Sequence, residues 1–386
     1  MTHQFTWTIA VACSLCVNVS VRAQQPAMPM SGSAISAAAG DSNADGSSRG
    51  VLSPAMKSHD IAKAAHTVAD WQLRNAEGKF NQDWTYGPLY LGLIAASEVT
   101  GDRQYHNVVL AQAKEFRWKL WATRNLHADD EVIAQAYETL YLEEHDPIRI
   151  EDARVTFDRL VRYSDTPDKD LWWWCDALFM APAGLVKMSV ITGDRKYIVA
   201  MDREWSLTQK HLYDPEQKLF YRDATYIGKH EQNGANIYWT RGNGWVLAGL
   251  ADVLDAMPKD DPLRSKYERL FRDMATRIAE VQQPDGLWKP SLLDPEHYPL
   301  PEISGSAFFT YGIAWGVNHG LLDRKKFGPV IERAWAGMLQ HVYADGRLGC
   351  IQPIGAAPGA FTESSSYVYG VGAFLMAAQQ MKEYAR

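Results

Sequence analysis

The sequence predicts an all-α protein, an (α/α)6 barrel of six helical hairpins with short extended pieces in its loops. Three observations predict it: apolar residues recur at helical spacing, alternating strand patterns are scarce, and the junctions between helical segments repeat. An open helical solenoid is the alternative. The lack of a strict period, and a folded length of about 330 residues that suits a single domain, favour the closed ring.

Helical periodicity covers most of the chain. In the clearest segment, 261–281, apolar side chains form one stripe, Asp261 is a natural N-cap and Pro262 a natural first helical residue. The twelve predicted segments are 54–75, 86–99, 103–120, 130–144, 148–164, 176–192, 195–212, 242–257, 261–281, 304–321, 327–342 and 366–384.

Two junction types alternate along the chain. "VTGDRQY" (99–105) and "ITGDRKY" (191–197) look like a helix end, a tight turn and a new helix. "YDPEQKLFY" (213–221) and "QPDGLWKP" (283–290) place an Asp-containing turn before a short extended piece. The alternation predicts a repeated hairpin, with short turns at one end of the barrel and long, functional loops at the other.

The N-terminus carries a targeting pattern. Residues 5–19 are apolar but too short to cross a bilayer comfortably, and "VRA" at 21–23 suits cleavage after Ala23. We therefore predict a secretory signal peptide over 1–23, a Gly/Ser-rich flexible linker over 24–52 and a catalytic domain over 53–386. The protein is expected to be exported, either to the periplasm or outside the cell, with no membrane-spanning segment.

Composition excludes several classes of partner. The chain has 39 basic and 46 acidic side chains, a net charge of −7, and no basic block, which argues against nucleic acid. Beyond the signal peptide only Cys175 and Cys350 remain, so a disulfide scaffold and a cysteine zinc site are excluded; they form one bridge or two buried thiols. No HExxH, P-loop or GxSxG motif occurs, and no cofactor is expected.

The stretch "DLWWWCDALFM" (170–180) places Asp176 among apolar residues. Asp176 could simply cap the helix that follows. Alternatively, apolar neighbours raise the pKa of a carboxyl, which suits it to act as a general acid. At least one of the three preceding tryptophans, with Trp174 our candidate, should face the cleft.

The stretch "IYWTRGNGWVLAG" (237–249) combines a cation with aromatic rings. The guanidinium of Arg241 suits bidentate binding of a carboxylate, and Trp239 and Trp245 could stack on a sugar ring. Asn243 lies between them as a further substrate-binding candidate. A Gly-rich helix start with core tryptophans is the structural alternative.

A second acidic segment, "NLHADDEVIAQAYETLY" (125–141), places Asp129 and Asp130 before an apolar helix. One of the two is expected to cap the helix, and the other could be a second carboxylate in the cleft. His127 is a nearby candidate for substrate contact.

Two further stretches contribute candidates on the loops. In "QDWTYGPLY" (82–90), Trp84 and Tyr86 are candidate sugar-contacting aromatics. In "YPLPEISGSAFFTYGIAWG" (298–316), Ser304 opens a helix whose amides could bind an anion. Core and capping roles remain open for each of these residues.

Several stretches of the chain together resemble the unsaturated rhamnogalacturonyl hydrolases of glycoside hydrolase family 105. They are, in chain order, "WWCDALFMAPAGL", "YWTRGNGWVLAGLADVL", "PEISGSAFFTYGIAWGVNHGLL" and "YGVGAFLMA". The unsaturated glucuronyl hydrolases of family 88 are more distant. The resemblance implies an (α/α)6 barrel without metal or cofactor. It also implies removal of a 4,5-unsaturated uronic acid from the non-reducing end of lyase products, through protonation at C4 and hydration at C5.

The resemblance also assigns residues. The family's catalytic aspartate falls on Asp176, and its W-x-R-G-N-G-W motif on 239–245; its second aspartate is Asp129 or Asp130. Many members carry Tyr-His-Gly-Trp where this chain has "FYRDATY" (220–226), so Arg222 or Asp223 replaces a substrate-contacting histidine. This departure suggests a differently linked or more anionic substrate.

The leading hypothesis is therefore an exported unsaturated uronyl hydrolase acting on oligosaccharides, with Asp176 as general acid and base. A conventional inverting glycosidase that uses Asp176 with Asp129 or Asp130 is one alternative. A sugar-binding protein without activity is another. The polysaccharide, its linkage and the oligomeric state do not follow from the sequence.

Overall fold

The computed structural model describes residue 1 and residues 41–42, 48–165 and 169–386. Residues 2–23 of the predicted signal peptide and most of the predicted linker therefore lie outside the described residues. No helix in the described part of the chain is long and apolar enough to cross a membrane.

The described residues form twelve long α-helices and two one-turn α-helices, joined by turns and loops. They are α1 Ser58–Ala76, α2 Tyr86–Thr100, α3 Arg103–Glu115, α4 Ala128–Glu131, α5 Ala134–Glu143, α6 Ile148–Asp165, α7 Ala177–Met180, α8 Pro182–Thr192, α9 Lys196–Leu212, α10 Thr240–Ala256, α11 Arg264–Glu280, α12 Ile303–Asn318, α13 Arg324–Leu339 and α14 Val368–Tyr384. The predicted short extended pieces are present: β1 Tyr213–Asp214 pairs antiparallel with β2 Leu219–Phe220.

The long helices form two concentric rings. The inner helices α2, α5, α8, α10, α12 and α14 each pack against the next, and α14 packs against α2, which closes the ring. The outer helices α1, α3, α6, α9, α11 and α13 are amphipathic; on α11 the predicted stripe is buried, from Tyr267 to Ile278. The (α/α)6 barrel is therefore confirmed, and the open solenoid is excluded because a solenoid would leave α2 and α14 apart.

The two ends of the barrel differ as the junctions predicted. In the short turns, Gly101 and Gly193 end α2 and α8 with φ near +76° and +70°. Asp102 then accepts a hydrogen bond from the amide of Gln104 at the start of α3. The loops that lead into the inner helices are longer, so the N-terminal ends of the inner helices share one face with them.

Two predicted helices are interrupted near this loop face. The segment 176–192 divides into α7 and α8 because Pro182, the first residue of α8, lacks the amide that would continue the first helix. The segment 130–144 divides into α4 and α5. Each interruption leaves a one-turn helix. Asp129 and Asp130 lie in α4, and Asp176 is the residue immediately before α7.

Part of the predicted linker is held against the barrel. Ser42 pairs with Ser366, and the carboxyl of Asp41 accepts a hydrogen bond from the amide of Val368 at the start of α14. The amide of Gly50 also bonds to the carbonyl of Val342 at 2.8 Å. These contacts place residues 41–42 and 48–50 against the barrel.

Candidate active site

Asp176 lies at the start of α7, where its side chain makes no capping hydrogen bond. The capping alternative is therefore wrong for this residue. Its carboxyl is buried, with Arg222 Nε 3.4 Å from Oδ2 and the thiol of Cys175 3.7 Å from Oδ1. Burial raises the pKa of Asp176, opposed by the positive charges of Arg222 and Arg241.

The three tryptophans before Asp176 have different environments. Trp172 is fully buried, and Trp174 is 3% exposed with its ring 4.6 Å from the ring of His127. Trp173 is 50% exposed, 4.8 Å from Trp174, and the guanidinium of Arg222 lies 5.4 Å from its ring centre. Trp173, not the predicted Trp174, is thus the tryptophan open to a ligand.

A short backbone pairing fixes Arg222 beside Asp176. The amide of Cys175 bonds to the carbonyl of Arg222 at 2.8 Å, and Trp174 pairs with Asp223. Arg222 also donates to Asp223 at 2.7 Å. Of the two residues at the family's histidine position, Arg222 therefore contacts Asp176 directly, and Asp223 holds Arg222.

Asp129 and Asp130 are neighbours with different surroundings. Asp130 accepts hydrogen bonds from the amides of Thr123 and Arg124, from the Thr123 hydroxyl and from the Arg124 guanidinium, so its oxygens are fully used. Oδ2 of Asp129 lies 3.2 Å from Nη1 of Arg124 and 3.6 Å from Nδ1 of His127. Burial raises the pKa of Asp129 to about 7, Arg124 opposes this, and the negative charge of Asp176 adds to it. Of the two, Asp129 is therefore the candidate for a second carboxyl near Asp176.

His127 stabilises this region. Its Nδ1 accepts a hydrogen bond from the amide of Asp129 at 3.3 Å, which caps α4. Burial, and then the charge of Arg124, lower the pKa of His127 to about 4. The imidazole is consequently neutral at pH 7 and packs between Trp174 and the acidic turn.

Arg241 is not the open carboxylate clamp that the sequence predicts. Its two terminal nitrogens donate to the carbonyls of Gln352 and Pro353, each at 2.8 Å, and the residue is 1% exposed. The guanidinium is stacked between Trp239 and Tyr369, at 4.3 and 5.0 Å from the ring centres. Its charge acts on Asp176 from inside the protein.

Glu302 provides the compensating charge. It is fully buried, 3.9 Å from Arg241 Nη1, and it caps α12 by accepting hydrogen bonds from the amides of Ser304 and Gly305. The predicted anion site at Ser304 is thus occupied by a carboxylate of the chain, and the Ser304 hydroxyl also donates to Glu302 at 2.6 Å.

Other predicted contacts are parts of the framework. Asn243 bonds to the backbone of Phe220 through both its amide oxygen and nitrogen, so it holds β2 against α10. Trp245 packs in the core, 4.3 Å from Phe308. Tyr86 is fully buried.

Trp239 and Trp84 pack around the buried Arg241, Trp239 directly and Trp84 through Tyr369. Trp239 is 2% exposed and donates to the side chain of Gln352 at 2.8 Å, while Trp84 is partly exposed and stacks 5.5 Å from Tyr369. The sequence analysis missed Glu302, Gln352 and Tyr369 because no local pattern links them to Arg241. Glu302 lies more than sixty residues after Arg241 in the chain, and Gln352 and Tyr369 lie more than a hundred residues after it.

Three further observations describe the chemistry of the site. Among the described residues, no group of three or more His, Cys, Asp and Glu side chains is arranged to hold a metal ion. Cys175 and Cys350 are both buried free thiols, which excludes the predicted alternative of a bridge between them. Asp176 and Asp129 are two buried carboxyls with raised pKa values, which is typical of groups that take part in proton transfer.

Comparison with known proteins agrees with this geometry. The model of Glycosyl Hydrolase Family 88 matches residues 57–385. An unsaturated 3S-rhamnoglycuronyl hydrolase of Formosa agariphila is 41% identical over 78% of this chain and 84% of its own length. A protein of the same name from an Alteromonas species is 31% identical over 83% of this chain and 85% of its own. A family 88 glycosyl hydrolase from Bacteroides vulgatus superimposes with a TM-score of 0.80 at 34% identity, covering 85% of this chain and 99% of that one.

Proposed function

The chain belongs to glycosyl hydrolase family 88, and from that premise we propose that Asp176 is the general acid and base of an unsaturated uronyl hydrolase. The family supports an enzyme that hydrolyses oligosaccharides ending in an unsaturated uronic acid, so the sugar-binding alternative is set aside. The observation that carries the proposal is the environment of Asp176. Its carboxyl is buried and has a raised pKa, the carboxyl of Asp129 adds to that rise, and the exposed Trp173 is close to it in the chain.

The proposed reaction needs one proton donor that is then regenerated. The protonated Asp176 gives its proton to C4 of the 4,5-double bond, and the ring oxygen stabilises the positive charge at C5. Water attacks C5 while its proton passes to the Asp176 carboxylate. The resulting hemiketal opens, the glycosidic bond breaks and the next sugar leaves with a proton. A raised pKa suits Asp176 because the donor must be protonated near neutral pH.

We propose a 4,5-unsaturated uronic acid linked to 3-sulfated rhamnose as the substrate. The support is the shared name of the Formosa and Alteromonas relatives, together with Arg222 at the position where the related family carries a histidine. Turnover of the sulfated disaccharide should exceed that of its desulfated form and of unsaturated galacturonyl-rhamnose. Equal turnover of all three would refute this substrate.

The catalytic role is tested with Asp176→Asn. We expect a folded protein that no longer consumes the ultraviolet absorbance of the enol ether, with a rate lower by about a thousandfold or more, because an amide cannot donate the proton. Asp194→Asn, a change at an exposed carboxyl in the α8–α9 turn, is the matched control and should keep full activity. Full activity of Asp176→Asn would remove the assignment.

A conventional inverting glycosidase is the second candidate, because the same pair, Asp176 and Asp129, could supply an acid and a base. It would cleave saturated glycosides as well. Turnover of the unsaturated substrate alone, with no reaction of its saturated counterpart, distinguishes the two.

We also propose that the protein is exported after cleavage behind Ala23, on the basis of the apolar segment 5–19. N-terminal sequencing of the mature protein from a cell fraction tests this, and an intact Met1 in the cytoplasmic fraction would contradict it.

A further inference from the structure

One loop beside Asp176 carries a cation that the catalytic proposal does not use. The segment "RDATYIGK" (222–229) begins at Arg222, which contacts Asp176, and ends at Lys229. Lys229 is exposed, and its ammonium nitrogen lies 5.0 Å from the ring centre of Tyr226. In the described part of the chain, no carboxylate forms an ion pair with this ammonium group. Lys229 therefore presents to solvent a positive charge that no acidic side chain compensates.

Hydrogen bonds fix the course of this loop. The carboxyl of Asp223 accepts from the amide and the hydroxyl of Thr225, at 2.8 and 2.6 Å, and so begins the short 3-10 helix Ala224–Tyr226. The amide of Lys229 then donates to the carbonyl of Tyr226 at 3.1 Å. The backbone that carries Lys229 is thus tied to the residues that hold Arg222 beside Asp176.

Tyr226 neighbours both Lys229 and the reacting carboxyl. Burial raises the pKa of Tyr226, the negative charge of Asp223 adds to the rise, and Arg222 opposes it. The charge of Asp176 also raises the pKa of Tyr226. Because solvent and salt screen charges that are far apart, these effects mean that the Tyr226 hydroxyl lies near all three groups. The Lys229 ammonium lies over the ring of this same tyrosine.

Asp176 is reached from solvent on this side. Asp176 is buried, Arg222 is partly exposed, and Trp173, whose ring centre is 5.4 Å from the Arg222 guanidinium, is half exposed. Ile227, in the same loop as Lys229, is also half exposed. Exposure therefore increases outward from Asp176 past Arg222. A sugar bonded to the uronate at Asp176 lies along this route, between Trp173 and the loop that carries Lys229.

The other cations around Asp176 are already compensated. Each of them is paired with carboxylates of the chain: Arg241 with Glu302, Arg124 with Asp129 and Asp130, and Arg222 with Asp176 and Asp223. An anionic group of a ligand competes with those carboxylates for the three guanidinium groups. At Lys229 it meets an ammonium group that has no such partner. A sulfate ester, which is a permanent anion with three acceptor oxygens, suits this position.

We propose that Lys229 binds the 3-sulfate of the rhamnose in the proposed substrate and makes the enzyme selective for the sulfated sugar. The proposal rests on the unsaturated uronyl hydrolase function and on its sulfated substrate. The ammonium group acts as a point charge on a flexible stem, and the ring of Tyr226 restricts where that charge lies. Because Lys229 contacts the leaving sugar and not the reacting atoms, it is a specificity residue that acts on KM.

The test compares the unsaturated uronyl-rhamnose 3-sulfate disaccharide with its desulfated form. For Lys229→Gln, kcat/KM on the sulfated disaccharide should fall about fivefold through KM, as expected for the loss of one exposed ion pair. The constants for the desulfated form should not change. Lys229→Arg keeps the charge and should retain most of the preference. In the wild type, the preference should weaken as salt is added.

The matched control is Lys326→Gln, which should leave both substrates unaffected. Lys326 is also exposed, and its ammonium nitrogen lies 5.1 Å from the ring centre of Phe327. Its amide also donates to the carbonyl three residues earlier, that of Asp323, at 3.1 Å. Lys326 lies in the first turn of α13, at the end of the barrel with the short turns.

A second measurement separates this proposal from the catalytic one. Calorimetry with Asp176→Asn should show tighter binding of the sulfated disaccharide than of the desulfated one, and adding Lys229→Gln should remove that difference. Equal effects of Lys229→Gln on both disaccharides, or an unchanged preference for sulfate, would overturn the assignment of Lys229. A wild-type enzyme that binds the sulfated disaccharide preferentially through Lys229 but turns over neither substrate would instead overturn the proposed function and leave the sulfate site supported.

Discussion

Arg241 and Arg222 both lie close enough to Asp176 to lower its pKa, Arg222 more strongly, yet they belong to different parts of the molecule. Arg241 is 1% exposed, stacked between two rings and bonded to two backbone carbonyls. The side chain of Arg222 is 19% exposed and lies between two carboxylates beside the open Trp173. The buried Arg241 therefore serves mainly to hold the structure together, whereas Arg222, at the cleft, serves mainly to adjust the pKa of Asp176.

The largest expected effect is at Arg241. Arg241→Ala removes the charge opposite the buried Glu302 and the donor to the carbonyl of Pro353, and it leaves the Gln352 carbonyl with the Tyr369 hydroxyl as its donor. We expect a loss of about 3 kcal/mol in the free energy of unfolding, because an unpaired buried charge is strongly destabilising. Urea denaturation of the variant and the wild type measures this difference in the free energy of unfolding.

The control at this position is Arg241→Lys, which keeps the charge and should recover part of the loss. If Arg241→Ala unfolds at the wild-type urea concentration and only KM rises, then Arg241 is a substrate clamp and the comparison with Arg222 fails.

An intermediate effect is expected at Asp129, the largely buried carboxyl near Asp176. Its pKa rises from 3.8 to about 7 on folding, so the folded state holds a proton that the unfolded state has released. This contribution to stability is complete below pH 3.8 and is lost as the pH rises to about 7. Asp129→Asn should therefore be more stable than wild type by about 2 kcal/mol at pH 8, less than the full shift implies because Arg124 and solvent compensate the charge.

Unfolding free energies of the variant and the wild type, measured between pH 4 and pH 8, check the sign. Asp130→Asn is the paired comparison and should be less stable at pH 7, since it weakens the hydrogen bonds from Thr123 and Arg124. Identical pH curves for Asp129→Asn and wild type would show that Asp129 is not a buried, protonated neighbour of Asp176.

The smallest effect on stability is expected at Arg222. Arg222→Gln should lower the free energy of unfolding by about 1 kcal/mol, less than Arg241→Ala, because the glutamine amide can still donate a hydrogen bond to Asp223 and Asp176 can take up a proton. Without the positive charge, the pKa of Asp176 should rise further, and the basic limb of the kcat/KM profile should move to higher pH because the donor stays protonated longer.

The matched variant is Arg222→Lys, which keeps a cation near Asp176 and should leave the basic limb close to its wild-type position. A basic limb that moves to lower pH in Arg222→Gln would contradict the tuning role.

Residue patterns alone predicted the barrel because its determinants are local. The apolar stripe of α11 and the Gly-Asp turns at 101–102 and 193–194 act over a few residues each. Asp176 could also be identified from the sequence, because its apolar neighbours are next to it in the chain. The sequence did not decide whether Asp176 caps the following helix; the structure shows that its side chain makes no capping hydrogen bond.

Tertiary structure alone decided what each polar group in the site faces. Asp129 and Asp130 are adjacent, yet only Asp130 is turned to the amides of Thr123 and Arg124. Arg241 is enclosed by Glu302, Gln352 and Tyr369, and Trp173 is exposed where Trp172 and Trp174 are buried. The physical reason is that charge, solvation and hydrogen bonding in this cleft depend on groups brought together by ring closure from distant helices, whereas helix formation depends on near neighbours in the chain.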